Sequence, residues 1–480
     1  MMKICVLQAD YGSSKVDYQY FDPKRDLSGL IPDAHFDHVF LNKLTCYRQL
    51  KELSYQQYDI FVNLCEGYLE WDIPSIDVIY SLELLDLPFT GPTTKLYDPP
   101  KDLMKYVAYC EGIKTPAYLK INRQADIQKI VDTLRFPMFV KPLKAGDSLG
   151  IDDHSKVNDV NALKNKINAL LLEYDDILIE EYIDGREFTV LVAGNSDHEK
   201  ECICYQPVEY IFPEHFEFKT YALKTSELHP ESNKVCEDSY LNEALKNAAS
   251  RIFKAFNGVG YGRLDFRVTP QGEIYFLEIN FTCSVFYSDG YEGSADYILK
   301  FDGIGQSGFL RHIIEEGMAR HKRKSKRYEM QGNAISGFGI YAKSAYTNGE
   351  IIFRGEERAQ RIVTKRYVNQ HWNESDQRYF RQYAYPLSDE VYCLWDEEPT
   401  EWAPQNHSCE PNTRYDGLNV IAIRDIAPHE ELTLDYSDFL DDQAEAFNCR
   451  CNSVHCKGMI RGVKNNSVTS REQKANTHNT

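Results

Sequence analysis

Asn406-His407-Ser408-Cys409-Glu410-Pro411-Asn412 decides how the last third of this 480-residue chain is read. It sets an amide, an imidazole and a thiol within four residues, and on its own it would pass as a structural turn. Its neighbours change that reading. Downstream stand Glu431-Leu432-Thr433-Leu434-Asp435-Tyr436 and then Cys449-Arg450-Cys451, with Cys456 after four intervening residues. Upstream stand Ser336-Gly337-Phe338-Gly339-Ile340-Tyr341-Ala342 and Asn348-Gly349-Glu350. A Gly-x-Gly pair marks a tight turn where backbone must come close to something. Three closely spaced cysteines leave one corner of a tetrahedron open, and a closed structural zinc site needs four ligands. His455, next to Cys456, is one candidate for that corner.

In this order and spacing the four elements resemble the SET family of lysine methyltransferases over residues 328–461. The resemblance implies S-adenosylmethionine held by Gly337, Phe338, Gly339, Asn406 and His407. Oxygen dipoles suit a sulfonium donor, because an anionic nucleophile beside it would itself be alkylated. The resemblance places Tyr436 as the catalytic channel residue and Tyr383 or Tyr385 as a second wall. In-line transfer to a neutral amine depends mainly on alignment, and a phenol oxygen can contact the methyl through weak C–H···O bonds. It also makes Cys409 the fourth zinc ligand, beside Cys449, Cys451 and Cys456. The implied partner is a lysine-bearing protein or peptide. Asp396, Glu397, Glu398, Glu401, Asp438, Asp441, Asp442 and Glu445 lie near the site in sequence and would steer a basic one.

Residues 100–317 carry a second set of motifs. Phe136-Pro137-Met138-Phe139-Val140-Lys141-Pro142 ends a strand on a lysine, and Gly146-Asp147-Ser148-Leu149-Gly150 follows as a loop. Glu180-Glu181-Tyr182-Ile183-Asp184-Gly185-Arg186-Glu187-Phe188, Gly262-Arg263-Leu264-Asp265-Phe266 and Leu277-Glu278-Ile279-Asn280 complete it. Lys105 and Lys141 can neutralise phosphates, and a glycine loop can cover them with N–H groups. Asp265, Glu278 and Asn280 offer the oxygen ligands that magnesium prefers. Glu278 and Asn280 are two apart on a strand and so share a face, as do Arg263 and Asp265.

These elements resemble the ATP-grasp ligases of the D-alanine–D-alanine ligase type. The resemblance implies ATP bound by Lys105, Lys141 and Ser148, an adenine hinge at Glu180 and Ile183, and a ribose contact at Glu187. It implies Mg2+ on Asp265, Glu278 and Asn280, with Arg263 stabilising charge on the acyl-phosphate. Val62-Asn63-Leu64-Cys65-Glu66-Gly67 and Pro88-Phe89-Thr90-Gly91 fall in the preceding α/β domain. Three departures touch the substrate side. Asp147 stands where the ligases have a serine, Phe281-Thr282-Cys283-Ser284-Val285 replaces their Pro-Gly turn, and their N-terminal Gly-Gly-x-Ser-x-Glu is missing. D-Alanine is therefore not carried over.

The expected architecture is multidomain: an α/β pre-ATP-grasp domain over 1–98 with a mostly parallel sheet, and an α+β ATP-grasp domain over 99–318. A basic linker follows over 319–328, then a mostly-β SET domain over 329–440, a zinc-bound post-SET segment over 441–462 and a polar tail over 463–480 that is expected to be disordered. Six of the eight residues Arg320–Arg327 are Lys or Arg, which reads as a solvated linker or helix end, or as a nuclear-import patch in a eukaryote. A net charge of −19 argues against general nucleic-acid binding. The first residues are too short an apolar run for a signal peptide, and no stretch has membrane-span length. A cytoplasmic enzyme is expected, with two activities, with an ATP-binding regulatory half, or as a peptide-modifying ligase whose SET half methylates the same small substrate.

Overall fold

The computed structural model describes residues 1–12, 14–15, 22–67, 72–122, 126–144, 148–198, 201–214, 216–219, 232–324, 326–333, 335–358, 360–395, 405–442, 444 and 446–462. Gly146, Asp147, Asp396, Glu397, Glu398, Glu401, Glu445 and the tail 463–480 lie outside them. The chain divides into two compact units, Met1–Lys324 and Ser325–Thr480. Each is described by itself.

The first unit opens on a three-stranded parallel sheet in which Lys3–Ala9 runs between His35–Leu41 and Ile60–Asn63. A parallel sheet covered on both faces needs an uninterrupted apolar run in its central strand. Ile4-Cys5-Val6-Leu7 supplies one and is fully buried. Alternation sends Cys5 and Leu7 against helices Cys46–Ser54 and Ile76–Leu84, and Ile4 and Val6 against helices Ser294–Asp302 and Gly305–Lys324.

Two antiparallel sheets follow. One has four strands in the order Tyr118–Ile121, Ile177–Glu181, Met138–Pro142, Lys156–Val157, backed by helices Ile127–Thr133 and Val160–Leu170. The other runs Asn233–Val235, Val208–Tyr210, Arg186–Gly194, Tyr261–Val268, Ile274–Asn280, with Cys202–Cys204 also pairing to Arg186–Gly194. Its core face packs Phe188, Leu264, Phe266 and Phe276 under helices Lys101–Cys110 and Ser239–Ala255. Asp238 caps the second helix by accepting from Tyr240 N and Leu241 N.

Residues 319–324 of the expected linker continue helix Gly305–Lys324. Arg320 is buried there, ion-paired to Glu316 at 3.2 Å and donating to the Phe89 carbonyl at 2.7 Å. A packing contact therefore absorbs the first charge of the basic run. Among the described residues no helix is long and apolar enough to cross a membrane.

The second unit consists of short strands folded around Ile340, Ala342, Tyr346, Val420, Ala422, Ile426, Leu432 and Leu434. The hairpin Tyr328–Asn333/Gly337–Ala342 leads in, and Asn406–His407 pairs in parallel with Thr433–Leu434. The short hairpin Phe447–Asn448/Met459–Ile460 leads out. Two helices, Lys365–His371 and Glu374–Tyr383, interrupt the strands.

Gly260 has φ +66°, and a Cβ there would lie 2.3 Å from the Gly91 carbonyl. Both the backbone conformation and the backbone contact exclude a side chain. Gly260→Ala should cost about 2 kcal/mol or more, measured by urea unfolding of the full chain. A change below about 0.5 kcal/mol would contradict the close approach.

Candidate functional site

In the first unit the expected residues converge on one face of two paired strands. Arg263 lies opposite Asn280, and Asp265 opposite Glu278. A β-bulge makes this possible. Phe266 pairs with Phe276, so Leu277 is the extra residue that turns Glu278 away from the aromatic core and onto the Asp265 side. Arg263 Nε lies 3.3 Å from Asp265 Oδ1.

Helix Lys101–Cys110 brings two lysines to the same region. Lys101, Met104, Lys105 and Ala108 share its buried face. Lys101 Nζ lies 3.6 Å from Glu278 Oε2. Glu180 sits between Lys105 and Lys141, at 2.7 Å from each ammonium nitrogen. Burial alone would raise the Glu180 pKa, but the two ammonium groups outweigh it and hold the carboxyl at about 2. Burial pushes the Lys105 pKa down. Lys141 also faces burial, but Glu180 and Glu278 leave it raised.

Glu187 accepts from Arg267 at 3.2 Å and lies 3.7 Å from Lys219 Nζ. Arg267 is buried and also donates to the Tyr182 hydroxyl at 3.0 Å and the Gly185 carbonyl at 3.3 Å, which ties the stretch containing Ile183 to the sheet. Ser148 donates to the Lys219 carbonyl at 3.3 Å. Lys141, Ser148, Glu180, Ile183, Glu187, Asp265 and Glu278 share one cleft of about 90 Å³. Sequence reasoning missed Lys101 and Arg267. The helical spacing of Lys101 from Lys105 was a usable signal for the first. Arg267 had one too, in its two-residue step from Asp265.

In the second unit Gly337 has φ +91°. A Cβ on Gly339 would sit 2.2 Å from Glu431 Oε1. That carboxylate accepts from Asn406 Nδ2 at 2.7 Å and Asn333 Nδ2 at 3.0 Å. Asn406 Nδ2 also reaches the Phe338 carbonyl at 2.8 Å. Asn406, expected to face the donor, thus also fastens the Gly-x-Gly strand to the Glu431 element. Phe338 is exposed.

His407 Nδ1 accepts from Tyr436 N at 3.1 Å. The Tyr436 hydroxyl donates to the Gln405 carbonyl. Burial, with the Tyr383 phenol adding to it, pushes the Tyr436 pKa up to about 12. Tyr383, Tyr385, Trp395, Tyr415, Tyr436 and Phe439 wall a cavity of about 650 Å³. Gly337, Phe338, Gly339, Asn406 and His407 are not among its lining residues. Tyr436 therefore touches the motif residues through its backbone and the cavity through its ring.

Cys409, Cys449, Cys451 and Cys456 bring their sulphur atoms within 4.8 Å of one another. Cys409 and Cys449 are 3.8 Å apart, which matches the tetrahedral edge set by a Zn–S bond of about 2.3 Å. A set of four thiolates fits zinc. His455 is not in the cluster; its exposed ring lies 3.9 Å from Glu410. Near the cluster, Lys457 N donates to Cys409 Sγ at 3.2 Å and Lys457 Nζ to Asp435 at 2.5 Å. Phe447 packs its ring 5.7 Å from His407 and 5.9 Å from Tyr436.

Comparison with known proteins agrees with this geometry. Residues 109–285 match the family model described as D-ala D-ala ligase C-terminus, and residues 337–437 match that of the SET domain. The chain is 30% identical over 202 residues to the D-alanine–D-alanine ligase of Aquifex aeolicus, covering 42% of this chain and 64% of that protein. It is 31% identical over 205 residues to the enzyme of Lactococcus lactis subsp. cremoris, covering 42% and 57%. The chain thus spans less than two thirds of these relatives. Solved structures of the ligases from Coxiella burnetii (18% identity, TM-score 0.50, 67% of this chain and 95% of that one) and Bacillus anthracis complexed with ATP (20%, 0.50, 68% and 100%) share the fold. The chain carries an ATP-grasp domain of the D-alanine–D-alanine ligase type, followed by a SET domain.

Glu180→Gln would take from two buried ammonium groups the carboxylate that touches both, and a loss of about 3 kcal/mol or more is expected at neutral pH. The Glu180 carboxyl is depressed to about 2 from its usual 4.5. Its stabilisation is therefore complete above pH 4.5 and disappears as pH falls toward 2. Urea titrations of both proteins should show their stability gap closing across that window.

Proposed function

We propose that the chain is a two-activity enzyme: a lysine N-methyltransferase in the second unit, and an ATP-dependent carboxylate–amine ligase in the first. We place the domains at 1–98, 99–318, 329–440 and 441–462. The observation that carries the methyltransferase reading is the position of Tyr436, bonded through its backbone to His407 and turned by its ring into the aromatic cavity. S-Adenosylmethionine, when bound, supplies the electrophilic methyl. Gly337, Phe338, Gly339, Asn406 and His407 would hold it. Tyr436 and Tyr383 would orient the acceptor amine within the cavity and keep it aligned. The four cysteines would hold a structural zinc that keeps Phe447 on the His407–Tyr436 pair.

ATP with Mg2+, when bound, supplies carboxylate activation. Lys105, Lys141 and Ser148 would bind the phosphates, and Asp265, Glu278 and Asn280 would hold the metal. Glu180, Ile183 and Glu187 would meet the nucleoside. Arg263, opposite Asn280 at the metal face, would stabilise negative charge on the transferred group. The grouping of Lys101, Arg263, Asp265, Glu278 and Asn280 supports retained ATP chemistry. The altered segment Phe281–Val285 gives no support for D-alanine as the acceptor, and the alternative is an ATP-binding half that regulates without turnover.

Labelled S-adenosylmethionine incubated with mixed lysine-bearing proteins should transfer label, and Tyr436→Phe should lower transfer about tenfold or more while costing about 1 kcal/mol of stability from the lost bond to Gln405. No label on any lysine would sink the methyltransferase reading. ATP turnover to ADP and phosphate over a panel of amino acids and peptides should fall about a hundredfold in Arg263→Ala. ATP binding without turnover on any acceptor would favour the regulatory alternative.

A further inference from the structure

We propose that the second unit's acceptor cavity takes its amine from an acidic peptide, gripped at the cavity by Arg378 and Arg381. The proposal rests on the methyltransferase reading of that cavity and names its substrate class. It reverses the basic partner suggested by the acidic residues near the motifs.

The charged side chains lining the cavity among the described residues are Arg358, Arg378 and Arg381; none is Asp or Glu. Asp435 is committed to Lys457 and Asp441 to the Tyr392 hydroxyl. Helix Glu374–Tyr383 explains how the arginines come together. Residues 378, 381 and 382 are spaced three and four apart and share one face, and Arg378, Arg381 and Gln382 all line the cavity. Phe380 points the other way into a small core with Val368 and Tyr392. That core fixes the helix, and so fixes which face turns to the cavity.

Arg358 has a structural role: it donates to the Tyr328 hydroxyl at 2.9 Å and lies over the Phe353 ring at 5.4 Å. Arg378 and Arg381 are different. Both are exposed, and neither has a hydrogen bond, ion pair or ring contact among the described residues. Two guanidinium forks on one helical face suit carboxylates, which they can meet bidentately. A peptide rich in Lys and Arg would bring like charge against them, which is unfavourable across an interface. The aromatic wall behind, with Trp395 and Tyr415 stacked at 6.3 Å and Tyr415 and Phe439 edge to face at 5.1 Å, suits the apolar stem of a lysine. The nearby positive charge also favours the neutral form of the amine, and the neutral amine is the nucleophile.

The test uses the full chain and two peptides of equal length. Each has a single central lysine, flanked on both sides by two glutamates in one and by two arginines in the other. Methyl transfer from labelled S-adenosylmethionine should favour the acidic peptide about tenfold or more in kcat/KM at low salt, mainly through KM, and added salt should shrink the ratio. The double variant R378E/R381E should reverse the preference, and R378Q/R381Q should abolish it. Fluorescence anisotropy with the same peptides, carrying a dye, measures binding without chemistry. No transfer to either peptide or to the mixed lysine-bearing proteins would remove the methyltransferase reading and leave the binding comparison to decide this one. Equal binding of the two peptides, tighter binding of the basic one, or a ratio unchanged in R378E/R381E would overturn the proposal.

Discussion

Four sulphur atoms held within 4.8 Å of one another are the constraint on which the second unit's site depends. One comes from the Asn406–Asn412 motif, and three come from the segment that follows the SET strands. Thiolates at that spacing repel each other unless a cation sits among them. A shared metal would convert a short, weakly paired segment into a wall of the site. The hairpin Phe447–Asn448/Met459–Ile460 has only two residues in each strand, too few to be stable alone. Yet Phe447 packs on both His407 and Tyr436, and Lys457 reaches Asp435. His407, Tyr436 and the C-terminal segment thus share one packed corner.

The first unit solves its problem with charge. Lys105 and Lys141 are buried where phosphates would go in the proposed reaction, and buried ammonium groups are costly without a partner. Glu180 supplies one carboxylate for both. The arrangement holds the cations in place and leaves them under-neutralised, so an anionic group arriving at them completes the charge balance. The bulge at Leu277 acts alongside it. Without that extra residue, Glu278 would point into the Phe266–Phe276 core, and Asp265 would lack its opposite carboxylate.

Much of this was legible in residue order, and the exceptions have physical causes. Strands such as Lys3–Ala9, Ile177–Glu181 and Tyr261–Val268 announce themselves as apolar or alternating runs. The shared face of Glu278 and Asn280 followed from the two-residue period alone. The bulge did not, because a one-residue slip leaves no mark in the pattern of Ile274–Asn280. Helix Glu374–Tyr383 was missed because it buries one side chain, Phe380, and its apolar residues, Tyr379, Phe380 and Tyr383, are confined to its C-terminal half. Its arginines were consequently not connected with the cavity. Choosing Cys409 over His455 rested on resemblance, since spacing alone left both open. The structure separates them by distance.

The central claim is that a metal at Cys409, Cys449, Cys451 and Cys456 builds the second unit's site. The direct measurement is zinc content by mass spectrometry of the purified full chain, alongside a Cys409→Ser variant. The account predicts one tightly bound zinc per chain in the parent protein and its loss in the variant. A parent chain without zinc, or a Cys409→Ser chain that retains a full equivalent, would contradict it.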